Sequence, residues 1–441
     1  MDQQAIGNAG VPLIGAFEST YLPAYDVDVA ESSGHAARRR ADLECLRALG
    51  ITRLRYPIRW HRVEAVPGVY DWAEVDAAMA DFAELGLTPI VDLIHHTSYP
   101  AWLTHAFADR RFGPAYLAYV EAFCRRYPQT SDYTLFNEPF ATLWLAGHQA
   151  LWPPYGSGPA AFVRVLRTVL PALAAASRLA KDLLPRARHV WVDTCEHHAG
   201  EPGDPAEFGE HCNDRRTSVL DLFLGHDLDV ERRGFLQVLE RAGGADLFDI
   251  APGRIDVLGL DYYPHSEWWY VHGGGVSPSP HPIGFAAVAR QYAERYDVPL
   301  ILGETNVRGL PSDRATWLKY MAEQYGLAVA DGVRLEGFCW FPVVDSCDWD
   351  SLLARHAGRC DPVGVLDSAG ADTSVSRSYG LLAGGSSAAD LPAYHLQSPL
   401  DARLRGYLPA VAHWRWQDPP DGEYVPTIDL TYTSEQLGRA S

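Results

Sequence analysis

Eight short apolar, β-rich runs are spaced along the chain, with a helical pattern between each run and the next. The runs are Leu13–Phe17, Arg53–Ile58, Thr88–Leu93, Tyr133–Phe136, His189–Asp193, Ile255–Leu260, Pro299–Gly303 and Gly337–Phe341. Between them lie helix-like stretches at Ala36–Leu49, Trp72–Leu85, Pro114–Tyr127, Ala160–Leu184, Val219–Ala242, Phe285–Tyr296 and Ser312–Ala330. Alternation of this kind implies an α/β protein with parallel strands and crossover helices. Eight repeats predict a closed (β/α)8 TIM barrel rather than an open sheet. Such a barrel accommodates 441 residues as one domain with long loops, although length alone would suggest two or three.

Local signals agree with that architecture. Asp71-Trp72-Ala73-Glu74 supplies an N-cap residue and an acidic first turn. Gly50 and Gly86 each end a helical pattern just before a strand, as C-terminal caps do. Beyond Asp367 the pattern fades. Ala369–Asp390 is rich in Gly, Ser and Ala and reads as a flexible loop. Leu400–Trp414 is the expected eighth helix, which places the barrel domain at 1–416. The remaining stretch, 417–441, reads as a C-terminal tail packed on the barrel or partly mobile.

The formal net charge is −19. A surface so acidic argues against nucleic acid and anionic membranes as partners. The first residues, Met1-Asp2-Gln3-Gln4, carry neither a basic region nor an apolar segment of a secretory signal. No run of about 18 apolar residues stands out as a membrane span. Seven scattered cysteines read as reduced thiols, and a cytoplasmic location is expected. Cys195, His197, His198, His211 and Cys212 are close in sequence, but their spacing matches no standard zinc pattern. Neither a metal nor an organic cofactor is expected, and composition does not fix the oligomeric state.

In barrels of this type the active site sits at the C-terminal ends of the strands. The polar residues there include Glu18, Arg55, His95, His96, Asn137, Glu138, Asp193, Glu196, Asp261, Tyr263, Glu304 and Asp348. No Gly-rich phosphate loop and no Gly-x-Ser-x-Gly elbow accompanies them. Two strands end on a glutamate: Leu135-Phe136-Asn137-Glu138-Pro139 and Leu300-Ile301-Leu302-Gly303-Glu304-Thr305. Glycoside hydrolysis needs such a pair, one carboxyl to protonate the leaving oxygen and one to attack the sugar carbon.

These segments resemble clan A glycoside hydrolases, and glycoside hydrolase family 1 most of all. Asn137-Glu138-Pro139 is similar to the clan's fourth-strand acid/base motif, and Glu304 stands at its seventh-strand nucleophile position. The segments Arg55–Val63 with Pro67–Trp72, Leu93–Leu103 and Asp256–Tyr263 resemble the family's second, third and sixth strands. The likeness spans roughly residues 13–350. It implies a retaining β-glycosidase, with Glu138 as general acid and then base and Glu304 as nucleophile. Arg55 and Tyr263 would keep Glu304 ionised and oriented. Asn137 would bind the sugar 2-hydroxyl, His96 another hydroxyl, and Trp340 would form the platform under the ring. His95, next to His96, is expected to point away and pack.

The positions that read the sugar depart from the family. Leu22 stands where a glutamine usually clamps hydroxyls, with Glu18 able to compensate. Asp261 replaces the usual asparagine, and Asp348 falls where a glutamate usually contacts distal hydroxyls. The altered set implies a divergent member with a changed glycone preference. The partner is then a carbohydrate or glycoside substrate. A transglycosylase using the same pair, with Trp144, Trp152, Trp268 and Trp269 forming an acceptor site, is one alternative. A non-catalytic carbohydrate-binding barrel is another.

Overall fold

The computed structural model describes residues 11–307, 311–348, 353 and 356–392. Its centre is a ring of strands: β1 (Leu13–Ala16), β2 (Arg53–Pro57), β3 (Thr88–Asp92), β4 (Asp132–Thr134), β5 (Arg188–Thr194), β6 (Val257–Asp261), β7 (Leu300–Glu304) and β8 (Leu335–Trp340). Each pairs in parallel with its chain neighbours, and β8 pairs with β1, so the sheet closes into a (β/α)8 barrel. All eight predicted strands are present, with ends within about two residues of expectation.

The principal outer helices are α1 (His35–Ala48), α2 (Ala73–Leu85), α3 (Phe112–Arg126), α4 (Gly158–Leu183), α5 (Asp204–Leu224), α6 (Gly284–Arg295), α7 (Pro311–Ala330) and α8 (Ser374–Ala383). Their ends follow local chemistry. Asp71 accepts the Ala73 N–H at 3.0 Å at the start of α2. Gly86 closes the same helix at φ 66°, a left-handed angle that glycine adopts without strain. Helix α4 is long and apolar enough to cross a membrane, but 67% of its apolar window is buried within the protein.

Two expectations are corrected. Ala369–Asp390 is not a plain loop, because it contains α8. Thr373 and Ser376 form a reciprocal capping box at the start of that helix. Val375, Tyr379 and Leu382 then fall on one face and are fully buried. The predicted eighth helix at Leu400–Trp414 and the tail 417–441 lie outside the described residues. The single helix expected over Val219–Ala242 is also wrong. Gly225, at φ 65°, ends α5, and a separate short helix spans Gly234–Arg241.

Strand alternation sorts the side chains into two layers. Ile14, Ala16, Ile90, Val190, Val192, Val257, Ile301, Cys339 and Phe341 fill the barrel bore. Leu54, Val91, Trp191, Leu258, Leu302 and Trp340 face the helices instead. Helix α8 seals the β1–β8 seam, where the Tyr379 hydroxyl donates to the Ile14 carbonyl at 2.7 Å. Tyr379→Phe should cost about 1 kcal/mol for the lost hydrogen bond, and Tyr379→Ala about 3–5 kcal/mol. Urea unfolding of the two variants beside wild type measures both differences.

Candidate active site

Glu304 reaches the bore through an irregularity in β7. Leu302 pairs with Leu260 and faces the helices, so simple alternation would turn Glu304 outward as well. A register shift between Leu302 and Glu304 sets Glu304 opposite Asp261 instead. A bulge of this kind re-aims a side chain. The glutamate then meets two donors, one on each oxygen. The Arg55 guanidinium lies 2.7 Å from Oε1, and the Tyr263 hydroxyl donates to Oε2 at 2.7 Å. Arg55 also donates to the Gly303 carbonyl at 3.1 Å and to Asn137 Oδ1 at 2.5 Å. Burial works against the Arg55 charge, but Glu304, Asp261 and Asp92 outweigh it and raise its pKa.

Glu138 is held by strained backbone beyond the end of β4. It adopts φ 46° and ψ 63°, uncommon for a residue with a Cβ. Its N–H donates to the Val192 carbonyl at 2.9 Å, and its carbonyl accepts from Thr142 N–H at 2.8 Å. The next residue, Pro139, opens a helix spanning Pro139–Gly147. Asp193, at the end of β5, caps that helix by accepting Phe140 N–H at 2.8 Å. Asp193 is buried, and burial pushes its pKa up to about 7.

The carboxyls of Glu138, Asp261 and Glu304 offer oxygens that all lie within 4.8 Å of one another. At that separation an ionised pair repels by about 3.5 kcal/mol for an effective dielectric constant near 20. Burial, then the charges of Glu304 and Asp193, raise the Glu138 pKa well above the usual carboxyl range. Burial, Glu304 and Glu138 raise Asp261 likewise. The cluster is the sole group of three potential metal ligands this close among the described residues. Arg55 already supplies the compensating positive charge on its Glu304 side.

The other predicted residues divide. Glu18 Oε1 accepts from the Thr20 N–H and hydroxyl, both at 2.7 Å, while its buried Oε2 has no hydrogen-bond partner. His96 borders the pocket, with Nδ1 2.9 Å from the Thr142 hydroxyl and Nε2 3.8 Å from Glu138. Burial and His95 hold His96 neutral, with a pKa of about 3. Asn137 is fully buried, its Oδ1 taken by Arg55.

Trp340 does not face the site. It points to the helices, and its Nε1 donates to the Val363 carbonyl at 2.9 Å. Phe341, one residue on, occupies the bore, 5.3 Å from the His95 ring. Asp348 is turned to its own loop, where its carboxylate accepts the N–H groups of Ala357, Gly358 and Arg359 at 3.0–3.3 Å. His95 does not pack away from the site. Its Nδ1 lies 2.8 Å from Asp92 and its Nε2 3.4 Å from Glu18.

Above the carboxyls opens a pocket of about 200 Å³. Its inner end is formed by His96, Glu138, Tyr263 and Glu304, and its outer wall by Trp144, Trp152 and Trp268. Trp269 does not line it. The strands Glu267–Tyr270, Val276–Pro278 and His197–Gly200 form a small sheet that carries Trp268 and His198 to the wall. Glu196 completes that side, beside His198 at 3.1 Å and Arg215 at 3.7 Å. Burial opposes the Glu196 charge, but His198 and Arg215 prevail and bring its pKa down to about 2. Arg215 also lies over the Trp144 ring at 4.7 Å. The cysteines of the Cys195–Cys212 region do not converge on these histidines as ligands: Cys195 donates to the Asp261 carbonyl, and Cys212 sits against the Tyr270 hydroxyl.

No family model matches the sequence, and no curated protein matches it. Solved structures do. A β-glucosidase from Thermotoga maritima in complex with methoxycarbonyl-substituted glucoimidazole superposes with a TM-score of 0.70 at 16% identity, over 86% of this chain and 99% of that one. The same organism's β-glucosidase with galacto-hydroximolactam gives 0.68 at 17% identity, over 80% and 88%. A structure described as a family 1 β-glucosidase from Thermotoga maritima gives 0.67 at 18% identity, over 80% and 88%. The chain has their fold. The chemistry rests on the geometry of Glu138, Glu304 and their neighbours.

The Glu18–His95 pair makes a stability prediction. Burial opposes both charges, but each partner outweighs it, bringing Glu18 down to about 2 and His95 up to about 10. The raised His95 pKa stabilises the fold fully below its unfolded value near 6.5, and that stability is lost as pH rises through 10. The depressed Glu18 pKa contributes above about 4.5 and is lost as pH falls through 2. The cost of His95→Gln should therefore be greatest near pH 5–6 and shrink toward pH 9.5, by about 1.4 kcal/mol per pH unit at most. Urea midpoints across that range measure it, and a cost independent of pH would refute a charged His95.

Proposed function

We propose that this chain is a retaining β-glycosidase, a divergent relative of glycoside hydrolase family 1. The observation that carries the reading is the facing pair Glu138 and Glu304, with oxygens within 4.8 Å and unlike surroundings. Retaining enzymes set their carboxyls about 5–5.5 Å apart, whereas inverting ones leave about 6.5–9.5 Å for a water. Glu304, with a donor on each oxygen fixing its carboxylate, is the group placed to attack. Glu138, buried among like charges with a raised pKa, is suited to hold a proton near neutral pH.

In the first half-reaction Glu304 attacks the anomeric carbon while Glu138 gives its proton to the departing glycosidic oxygen. In the second, Glu138 takes a proton from water, and the resulting hydroxide displaces Glu304 from the sugar. Both halves use side chains and water alone. The glycone would rest on His96, Asn137 and the unpartnered Oε2 of Glu18, and the aglycone would meet Trp144, Trp152 and Trp268. The neighbours' complexes with glucoimidazole and galacto-hydroximolactam support a carbohydrate as the ligand of this barrel mouth. The apolar outer wall also favours a second reading, transfer to an acceptor other than water. Product analysis with and without added alcohols or sugars separates the two.

Glu304→Gln should abolish turnover of a panel of nitrophenyl β-glycosides. Glu138→Ala should slow glycosides with poor leaving groups by about 10²–10⁴-fold while sparing activated ones. Near-full activity in Glu304→Gln would sink the mechanism. The member of the panel that is hydrolysed identifies the glycone.

A further inference from the structure

Asp261 is a third carboxyl in a site whose chemistry needs two. It is fully buried, and neither of its oxygens has a conventional donor. Its Oδ1 lies so close over Gly303 that a Cβ there would meet it at 2.4 Å. The space that residue 303 leaves by being glycine is therefore filled by this carboxyl. The two strong donors of the cluster are directed elsewhere, Tyr263 to Glu304 and Arg55 to Glu304, Gly303 and Asn137. An oxygen of the Glu138 carboxyl lies within 4.8 Å of one of Asp261, and the Asp261 side chain lowers the Glu138 pKa as a hydrogen-bonding neighbour does. Two carboxyls can bond each other only if at least one carries a proton.

We propose that Asp261 keeps a proton through the catalytic cycle and donates it in a hydrogen bond to Glu138, so that it is the positioning residue of the acid/base. This inference rests on the glycosidase reading. When Glu138 passes its own proton to the leaving oxygen, the new Glu138 carboxylate accepts the Asp261 O–H, and Asp261 remains neutral. When Glu138 takes a proton back from water, the pair returns to its starting state. The hydrogen bond stabilises the ionised form of Glu138, the form made as the glycosidic bond breaks.

Every group facing Asp261 bears on its proton. Glu304 on β7, Glu138 after β4 and Asp193 on β5 all favour the neutral acid, and Arg55 on β2 opposes it. Cys195, Tyr263 and Cys339 adjoin it as neutral groups, their own pKa values raised chiefly by burial. Burial and the carboxylates together outweigh Arg55, so the Asp261 pKa is raised well above the ordinary value. On the alkaline side two protons, those of Glu138 and Asp261, must then stay in place for turnover.

Asp261→Asn keeps the shape and a donor but removes one titration. The alkaline limb of kcat/KM for a nitrophenyl β-glycoside should fall as two protons in wild type and as one in Asp261→Asn. At the pH where wild type keeps about one-hundredth of its maximum, the variant should keep about one-tenth of its own. Asp261→Leu, which has no donor, should lower kcat/KM for alkyl glycosides at least about tenfold more than for dinitrophenyl glycosides, whose leaving group needs no acid. Superimposable pH profiles for wild type and Asp261→Asn would overturn the proposal, as would equal losses on both leaving groups in Asp261→Leu. Trapping with a 2-fluoroglycoside separates this failure from a broader one. A covalent adduct on Glu304 with superimposable profiles removes only the role of Asp261, whereas no adduct removes the glycosidase reading with it.

Discussion

A guanidinium inside the bore of the barrel organises everything around it. Arg55 projects from β2 into an interior packed mainly with Ile, Val, Ala, Cys and Phe side chains. A charge there persists only if it is paired, and the two terminal nitrogens of Arg55 are met although its buried Nε has no hydrogen-bond partner. It binds the Glu304 carboxylate, the Gly303 carbonyl and the Asn137 amide, with Asp92 3.8 Å away. Strands β2, β3 and β7 and the chain beyond β4 are thereby tied to one point. Removing such a partner typically costs about 3–5 kcal/mol, because the remaining charge is stranded. The same bonds fix the orientation of the Glu304 carboxylate, so stability and site geometry draw on one interaction.

The regular barrel would not by itself deliver either glutamate. Glu304 depends on the register shift in β7, and Glu138 on a left-handed backbone. His96 is in the same sparsely populated region, at φ 47°. Each strained residue costs about 1–3 kcal/mol and persists only where its surroundings fix it. For Glu138 those surroundings are the Val192 carbonyl, the Thr142 N–H and the Asp193 cap on the helix that follows.

The strands were legible because most of their residues are buried and each reads as a short, largely apolar run between helical patterns. The position of the two glutamates was legible for the same reason, since each ends such a run. Side-chain direction was harder. Trp340 and Phe341 are adjacent, and alternation sends one to the helices and the other to the bore. A reading that fixes only the end of the strand cannot choose between them. Asp348 fails similarly: it lies beyond β8, but the N–H groups that claim its carboxylate belong to residues 357–359. Helix α8 was legible in principle. Thr373 and Ser376 have capping-box spacing, and Val375, Tyr379 and Leu382 recur at helical intervals, but Gly and Ser nearby outweighed that signal. Arg215 had no comparable signal, because it reaches the pocket wall from within α5 rather than from a strand end.

The two glutamates differ in character because the barrel gives them different neighbours. Around Glu304 stand Arg55 from β2 and Tyr263 from just after β6, both donors. Around Glu138 stand Asp193 from β5 and Asp261 from β6, both carboxyls, with His96 kept neutral by burial and by the charged His95. Charge stabilisation is thus concentrated on one side of the pocket and charge repulsion on the other. The pocket of about 200 Å³ above them, walled by tryptophan, limits how far water can level that difference. The difference between the two carboxyls follows from which strand ends carry arginine and tyrosine and which carry aspartate.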